Sequence, residues 1–93
     1  MPDPLTRLHL IVKGEVQGVG FRWFARERAE ELGVSGWTRN REDGTVDVEA
    51  EGTAEALAQF VRSLEAGPPA SRVEQVARRT IPAQGGKDFE IRH

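Results

Sequence analysis

Asp43-Gly44-Thr45-Val46-Asp47-Val48-Glu49-Ala50-Glu51 is the stretch whose reading decides the fold. Asp-Gly is a turn signal, and after it Val46, Val48 and Ala50 alternate with Asp47, Glu49 and Glu51. A period of two sends successive side chains to opposite faces, so this is a strand with one apolar and one acidic face. Val34 to Asn40, ahead of the turn, read as its hairpin partner. The acidic stripe, with His9 and Lys13 on a neighbouring strand, is expected to form a solvated sheet face.

On both sides of this hairpin the period becomes helical. Phe21, Phe24, Ala25, Ala29 and Leu32 recur at helical spacing, and Gly33 supplies a stop. Leu57, Phe60, Val61 and Leu64 make a second apolar stripe. Thr53 is its expected N-cap, Glu55 complements the helix dipole, and Gly67-Pro68-Pro69 ends it. Strands flank the helices. From Arg7 to Lys13, Leu8, Leu10 and Val12 alternate with Arg7, His9 and Lys13, with Ile11 as a rim residue. Val73 to Ile81 read as a fourth strand, Pro82 to Lys87 as a loop, and Phe89 and Ile91 as a short last strand. The order β-α-β-β-α-β predicts an α+β fold, a ferredoxin-like two-layer sandwich with an antiparallel sheet and both helices on one face.

A chain of 93 residues fits a single domain over 1–93. Its 38% hydrophobic and 30% charged residues suit a soluble globular domain and argue against disorder. A net charge of −2 argues against a nucleic-acid partner, whose phosphates need a basic excess, but permits a local site for a small anion. Arginine carries nearly all the positive charge, since Lys13 and Lys87 are the only lysines. The absence of cysteine excludes disulfides, thiolate nucleophiles and cysteine-based zinc sites. His9 and His93 stand at opposite ends of the chain, so no metal-ligand spacing exists and no cofactor is expected. Met1-Pro2-Asp3-Pro4 lacks the basic and apolar regions of a signal peptide, and no apolar run could cross a bilayer. A cytoplasmic monomer without membrane contact is expected.

Gly14-Glu15-Val16-Gln17-Gly18-Val19-Gly20 joins the first strand to the first helix. A glycine-rich turn there can aim several backbone N–H groups at one anion, and the helix N-terminus adds unpaired donors and the positive end of its dipole. Arg22, in the first helical turn, could fold back over the loop and grip two phosphate oxygens. The same residues also suit a plain tight connection with Arg22 as a surface charge. Nucleotide fingerprints do not fit: there is no Gly-x-x-x-x-Gly-Lys-Ser/Thr, and Gly18-x-Gly20 lacks a third glycine and a parallel-sheet context.

The longer string Gly14 to Arg22 resembles the signature of the acylphosphatase family. Gly36-Trp37-Thr38-Arg39-Asn40, followed by Gly44, Val46 and Gly52, resembles that family's other signature at the same spacing. The likeness continues through Ser71-Arg72-Val73 and Phe89-Glu90-Ile91-Arg92. Thr38 departs mildly from it, standing where the family has a small or apolar residue. The resemblance implies a ferredoxin-like hydrolase that cleaves small acyl phosphates to carboxylate and inorganic phosphate, using a positioned water and neither a metal nor a covalent intermediate. It implies that Arg22 binds phosphate, that Asn40 positions water, and that the backbone amides of Glu15, Val16, Gln17, Gly18, Val19 and Gly20 cradle the anion. No residue marks a pocket for the acyl group.

Other candidates read more plainly. His9 is expected to be solvated or locally paired. His93 is expected in a tail, with a supporting role at the site open to it. Trp23 lies off the apolar stripe and reads as a partly exposed packing residue in preference to a substrate platform, and Trp37 as structural. The Glu15 side chain should point away from a bound anion. An RNA-recognition module would need aromatics on its central strands, where this chain has His9-Leu10-Ile11-Val12 and Val46-Asp47-Val48-Glu49. A regulatory domain that binds phosphate compounds without catalysis fits the same fold order.

Overall fold

In the computed structural model, which describes residues 4–93, the hairpin forms as its alternation requires. Strand β1 (Thr6–Glu15) is followed by helix α1 (Phe21–Leu32) and strands β2 (Ser35–Asn40) and β3 (Val46–Gly52). Helix α2 (Ala54–Ala66) and strands β4 (Arg72–Ile81) and β5 (Phe89–Arg92) complete the order. Met1 to Asp3, part of the start read as lacking a leader, lie outside the described residues. Between β2 and β3 the Asp43 carboxylate accepts from Thr45 N–H at 3.0 Å and from Thr45 Oγ1 at 2.6 Å, which shapes the turn. Asn40 then falls opposite Val46.

Val46, Val48 and Ala50 join Leu10 and Val12 on the sheet face that both helices cover. Phe21, Ala25 and Ala29 come down on it from α1, and Leu57, Phe60, Val61 and Leu64 from α2. Each buried Val or Leu side chain contributes about 1.5–3 kcal/mol. Thr53 Oγ1 caps α2 by accepting from Ala56 N–H at 3.1 Å, and Gly33 ends α1, both as predicted. Among the described residues Thr38 is the one polar side chain fully buried on this face, and its Oγ1 has no hydrogen-bond partner.

The sheet order is β4-β1-β3-β2-β5. The layers are those of the predicted ferredoxin-like sandwich, but the sheet is mixed, because β5 pairs with β2 in parallel while the other pairs are antiparallel. The reason is a crossing. β4 holds one edge, and residues 82–88 carry the chain over the open face to the other edge, where β5 runs beside β2. Consequently β1, β2 and β5 all point the same way, and their C-terminal ends share one end of the sheet.

The crossing also corrects the expectation of a solvated acidic face. Asp47 and Glu51 are each only 2% exposed, and Glu49 is half-buried. Gln84 N–H and Gly85 N–H donate to the Glu51 carboxylate at 2.7 and 2.9 Å, so the loop covers it. Buried Arg7 bonds Glu49 at 2.8 Å and pairs with Glu51 at 3.4 Å. Asp47 is paired with His9, with Arg39 at 3.2 Å and with Arg41 at 4.0 Å. Periodicity assigned these acids to the right face. What covers that face lay in a loop without a pattern.

Two stability measurements follow from this packing. Thr38→Val replaces a buried, unpaired hydroxyl by a methyl group of similar size and should raise unfolding free energy by about 1 kcal/mol in urea titrations. An unchanged or lower value would mean that the hydroxyl is bonded. The Gln84 N–H bond, helped by Gly85 and Arg7, holds the Glu51 carboxyl below the ordinary glutamate range. A depressed folded-state pKa gives stability that is complete above the unfolded-state value and is lost as pH falls through the folded-state value. Glu51→Gln should therefore flatten the acid limb of stability against pH, and an acid limb identical to that of the native chain would remove Glu51 from it.

Candidate active site

Three strands that point the same way deliver three pieces of chain to one place. Residues 16–20 leave β1 and enter α1 there, β2 ends there at Asn40, and β5 brings in Arg92 and His93. Val16, Gly18, Gly20, Arg22 and Asn40 line a cavity of about 510 Å³ at this end, and His93 closes part of its wall. Of the residues predicted for the anion cradle, Glu15, Gln17 and Val19 do not line it. Glu15 ends β1 opposite Arg72 with its side chain exposed, and Val19 packs against the core.

Gly14 belongs to β1 rather than to the loop, which corrects the predicted extent of the turn. The register with β4 slips between Lys13 and Gly14, and at φ +133° a Cβ on Gly14 would stand 2.0 Å from the Arg72 carbonyl oxygen. Its glycine serves strand contact. The loop proper is Val16 to Gly20. Gln17 Nε2 ties it to the β2–β3 turn, donating to the Arg41 carbonyl at 2.7 Å and the Thr45 carbonyl at 2.9 Å. The glycine loop is thereby fastened beside Asn40. A lone Gln between glycines carries no sequence signal for that role.

Gly20 is the N-cap of α1 in a left-handed conformation at φ +78°, which favours glycine, and no side chain caps the helix. The first-turn N–H groups have no intrahelical acceptor, and the first intrahelical bond runs from Phe24 N–H to the Gly20 carbonyl. No acid lies in this turn, and Arg22 stands in it. A guanidinium at the positive end of a helix opposes the dipole. An anion seated in the cavity would relieve that repulsion and occupy the open donors together.

Arg22 is held in a defined pose. Its Nη1 donates to the Arg92 carbonyl at 2.9 Å and lies 3.3 Å from His93 Nδ1. Among the described residues no other acceptor bonds it, so Nε and Nη2 keep their donors for a ligand. Arg92 is steadied in turn by Trp37, whose ring lies 4.9 Å from the Arg92 guanidinium and 5.3 Å from that of Arg39. Trp37 is thus the structural residue it was expected to be. Trp23, expected to be partly exposed, is 57% exposed and stands on the cavity wall, as do Arg26 and Ile91, which the sequence did not single out. Their helical and strand spacings are visible in the sequence, but nothing in it shows that β5 comes alongside α1. Among the described residues no three His, Asp or Glu side chains are grouped to hold a metal ion.

Residues 8–91 match the family described as Acylphosphatase. The chain belongs to the acylphosphatase family. It is 52% identical over 87 residues to an acylphosphatase of Rubrobacter xylanophilus, covering 92% of this chain and 79% of the relative. An acylphosphatase of Bacillus licheniformis is 42% identical over 88 residues, covering 94% and 98%. The crystal structure of acylphosphatase from Bacillus subtilis superposes with a TM-score of 0.90 at 37% identity, covering 97% of this chain and all of that one. Hydrolysis of acyl phosphates, the activity of this family, is accordingly the activity of this chain.

Proposed function

We propose that this chain hydrolyses the carboxyl–phosphate bond of small acyl phosphates by direct attack of a held water. Arg22 and the loop amides bind the phosphoryl group, and Asn40 holds the water. The observation that carries this reading is the meeting of Arg22, Asn40, Gly18 and Gly20 around one cavity at an uncapped helix N-terminus. The backbone N–H groups of Val16, Gly18 and Gly20, which line the cavity, and those in the first turn of α1 are the supply of neutral donors. Arg22 Nε and Nη2 add a charged, parallel pair.

The reaction needs little beyond position and charge. The water oxygen attacks phosphorus, the bond from phosphorus to the acyl oxygen breaks, and that electron pair leaves with the carboxylate. A carboxylate is a weak base and leaves without being protonated. Asn40 can accept from water through its carbonyl and donate through its amide, and being neutral it adds no charge beside the phosphate. A phosphoryl oxygen of the substrate takes the water's proton, since Asn40 cannot. The acyl phosphate is thereby split into carboxylate and inorganic phosphate, with no step routed through a cofactor or a covalent intermediate.

The same reading extends to setting. It takes the chain to act as a monomer, and no described helix is long and apolar enough to cross a membrane. A cysteine-free chain of net charge −2 fits a cytoplasmic home without nucleic-acid partners.

Phosphate release from benzoyl or acetyl phosphate tests the proposal. Asn40→Ala should lower kcat by about 10²–10³, as loss of a preorganised polar group does, with little change in inhibition by inorganic phosphate. Arg22→Ala should lower kcat/KM at least as far and also weaken that inhibition, because its contacts exist in both ground and transition states. Normal turnover by Asn40→Ala would remove Asn40 from the mechanism. Phosphate binding by the native chain without phosphate release would favour a regulatory module. Between about pH 6 and 8, kcat should vary little. A profile that collapses within that range would contradict a mechanism without a protein base.

A further inference from the structure

The phosphate seat takes one end of the cavity, and the remaining wall comes largely from the next turn of α1. Trp23 and Arg26 are three residues apart, hence neighbours on the helix surface, and both line the cavity. Arg26 stands four residues beyond Arg22, a rise of about 6 Å along the axis. An acyl chain that leaves a phosphate on Arg22 and runs along α1 meets the Trp23 ring and then the Arg26 guanidinium.

The charge of Arg26 is only loosely matched. Arg7, Arg28 and Arg39 each hydrogen-bond a carboxylate within 3.2 Å. Arg26 makes no such bond: its Nε is buried without a hydrogen-bond partner, and the Glu30 carboxylate stands 3.7 Å away. Glu30 is itself well exposed, so water screens this contact. The buried Nε is closed to a ligand, but no described acceptor hydrogen-bonds Nη1 or Nη2, and a guanidinium on a cavity wall with those donors unmet is a seat for an anion a helical turn away from the phosphate. Trp23, one of two large hydrophobic residues left exposed among the described residues, presents a flat apolar surface between the two charges.

We propose that Trp23 and Arg26 form the acyl subsite, and that it selects acyl phosphates whose acyl chain ends in a second carboxylate, as in the monoacyl phosphate of a dicarboxylic acid. The inference rests on the phosphate seat described above and adds which substrates that seat serves. Methylenes of the chain lie against the Trp23 ring, and the distal carboxylate meets Arg26. A chain of succinyl length spans a distance comparable to the rise between the two arginines. A chain of the same length ending in methyl would leave Arg26 facing an apolar group, and the difference between the two is the discrimination.

The test compares kcat/KM for succinyl phosphate and butyryl phosphate on the full chain, with the spontaneous hydrolysis of each subtracted. The native chain should favour succinyl phosphate about tenfold, the effect of one hydrogen bond to a charged group. Arg26→Gln should bring that ratio close to one, and Arg26→Lys should keep part of it. Because both substrates share the phosphate seat, the ratio divides out any loss of folded protein or loosening of α1. Trp23→Ala should lower kcat/KM for both substrates relative to acetyl phosphate. Equal kcat/KM for the two substrates in the native chain would overturn the inference, and so would an Arg26→Gln ratio equal to the native one. Failure of the native chain to cleave either compound would bring down the phosphate seat itself, which separates that outcome from the others.

Discussion

Glu51 sits where the strands alone would leave a carboxylate facing water, and its partners determine how the rest of the molecule closes. Its two oxygens accept from the N–H groups of Gln84 and Gly85 while Arg7 stands beside it. Those bonds fasten the crossing segment to the open face and so direct β5 to the β2 edge. With β5 there, Ile91 and His93 become cavity wall and the Arg92 carbonyl becomes the acceptor that orients Arg22. A buried ion pair of this kind is weak evidence for stability, because desolvation offsets much of its attraction. Here its consequence is positional. It fixes the path of a loop that has no hydrophobic side chain of its own to bury between Pro82 and Asp88 except Ala83.

The two faces of the sheet therefore divide the work. The helix face carries the apolar core, where burial supplies most of the favourable free energy. The open face carries cross-strand polar pairs that set alignment: Arg7 with Glu49 and Glu51, Arg39 with Asp47, and His9 hydrogen-bonded to Asp47. The two meet at the end of the sheet where β1, β2 and β5 finish. Asn40 stands on the helix face by its register with Val46, while its neighbour Arg39 reaches the charge network through Asp47. Asn40 is thus held on a strand paired on both sides, which suits the water-holding role proposed for it.

Much of this was legible in the sequence, and the parts that were not share one cause. Strand and helix periods gave every element within a few residues, because burial on one face imposes those periods directly. Gly18, Gly20, Arg22 and Asn40 were legible as a group because their family resemblance spans two separated motifs. Glu51 and Asp47 were placed on the correct face but expected in water, since alternation reports which side a residue takes and not what lies over it. The parallel β5, the cavity role of Arg26 and Ile91, and the tether from Gln17 all depend on which segments meet across long sequence separations. Gly14 was misassigned for a related reason: a glycine demanded by the approach of another strand is indistinguishable, in sequence, from one demanded by a turn.

The nearly exclusive use of arginine finds its physical sense at Arg22. One nitrogen of its guanidinium, Nη1, is spent on the Arg92 carbonyl. The group is planar and rigid, so fixing Nη1 also fixes the direction of the remaining Nε and Nη2 donors, which lie side by side on the opposite edge. That edge matches two oxygens of a phosphoryl group. A lysine ammonium, bonded to the same carbonyl, would keep its other donors on a freely rotating tetrahedral head and offer no such edge. In the role proposed for Arg22, the carbonyl contact therefore does not compete with anion binding. It pre-orients the side chain, so that the entropy of ordering it is lost in folding and not at the moment the substrate arrives.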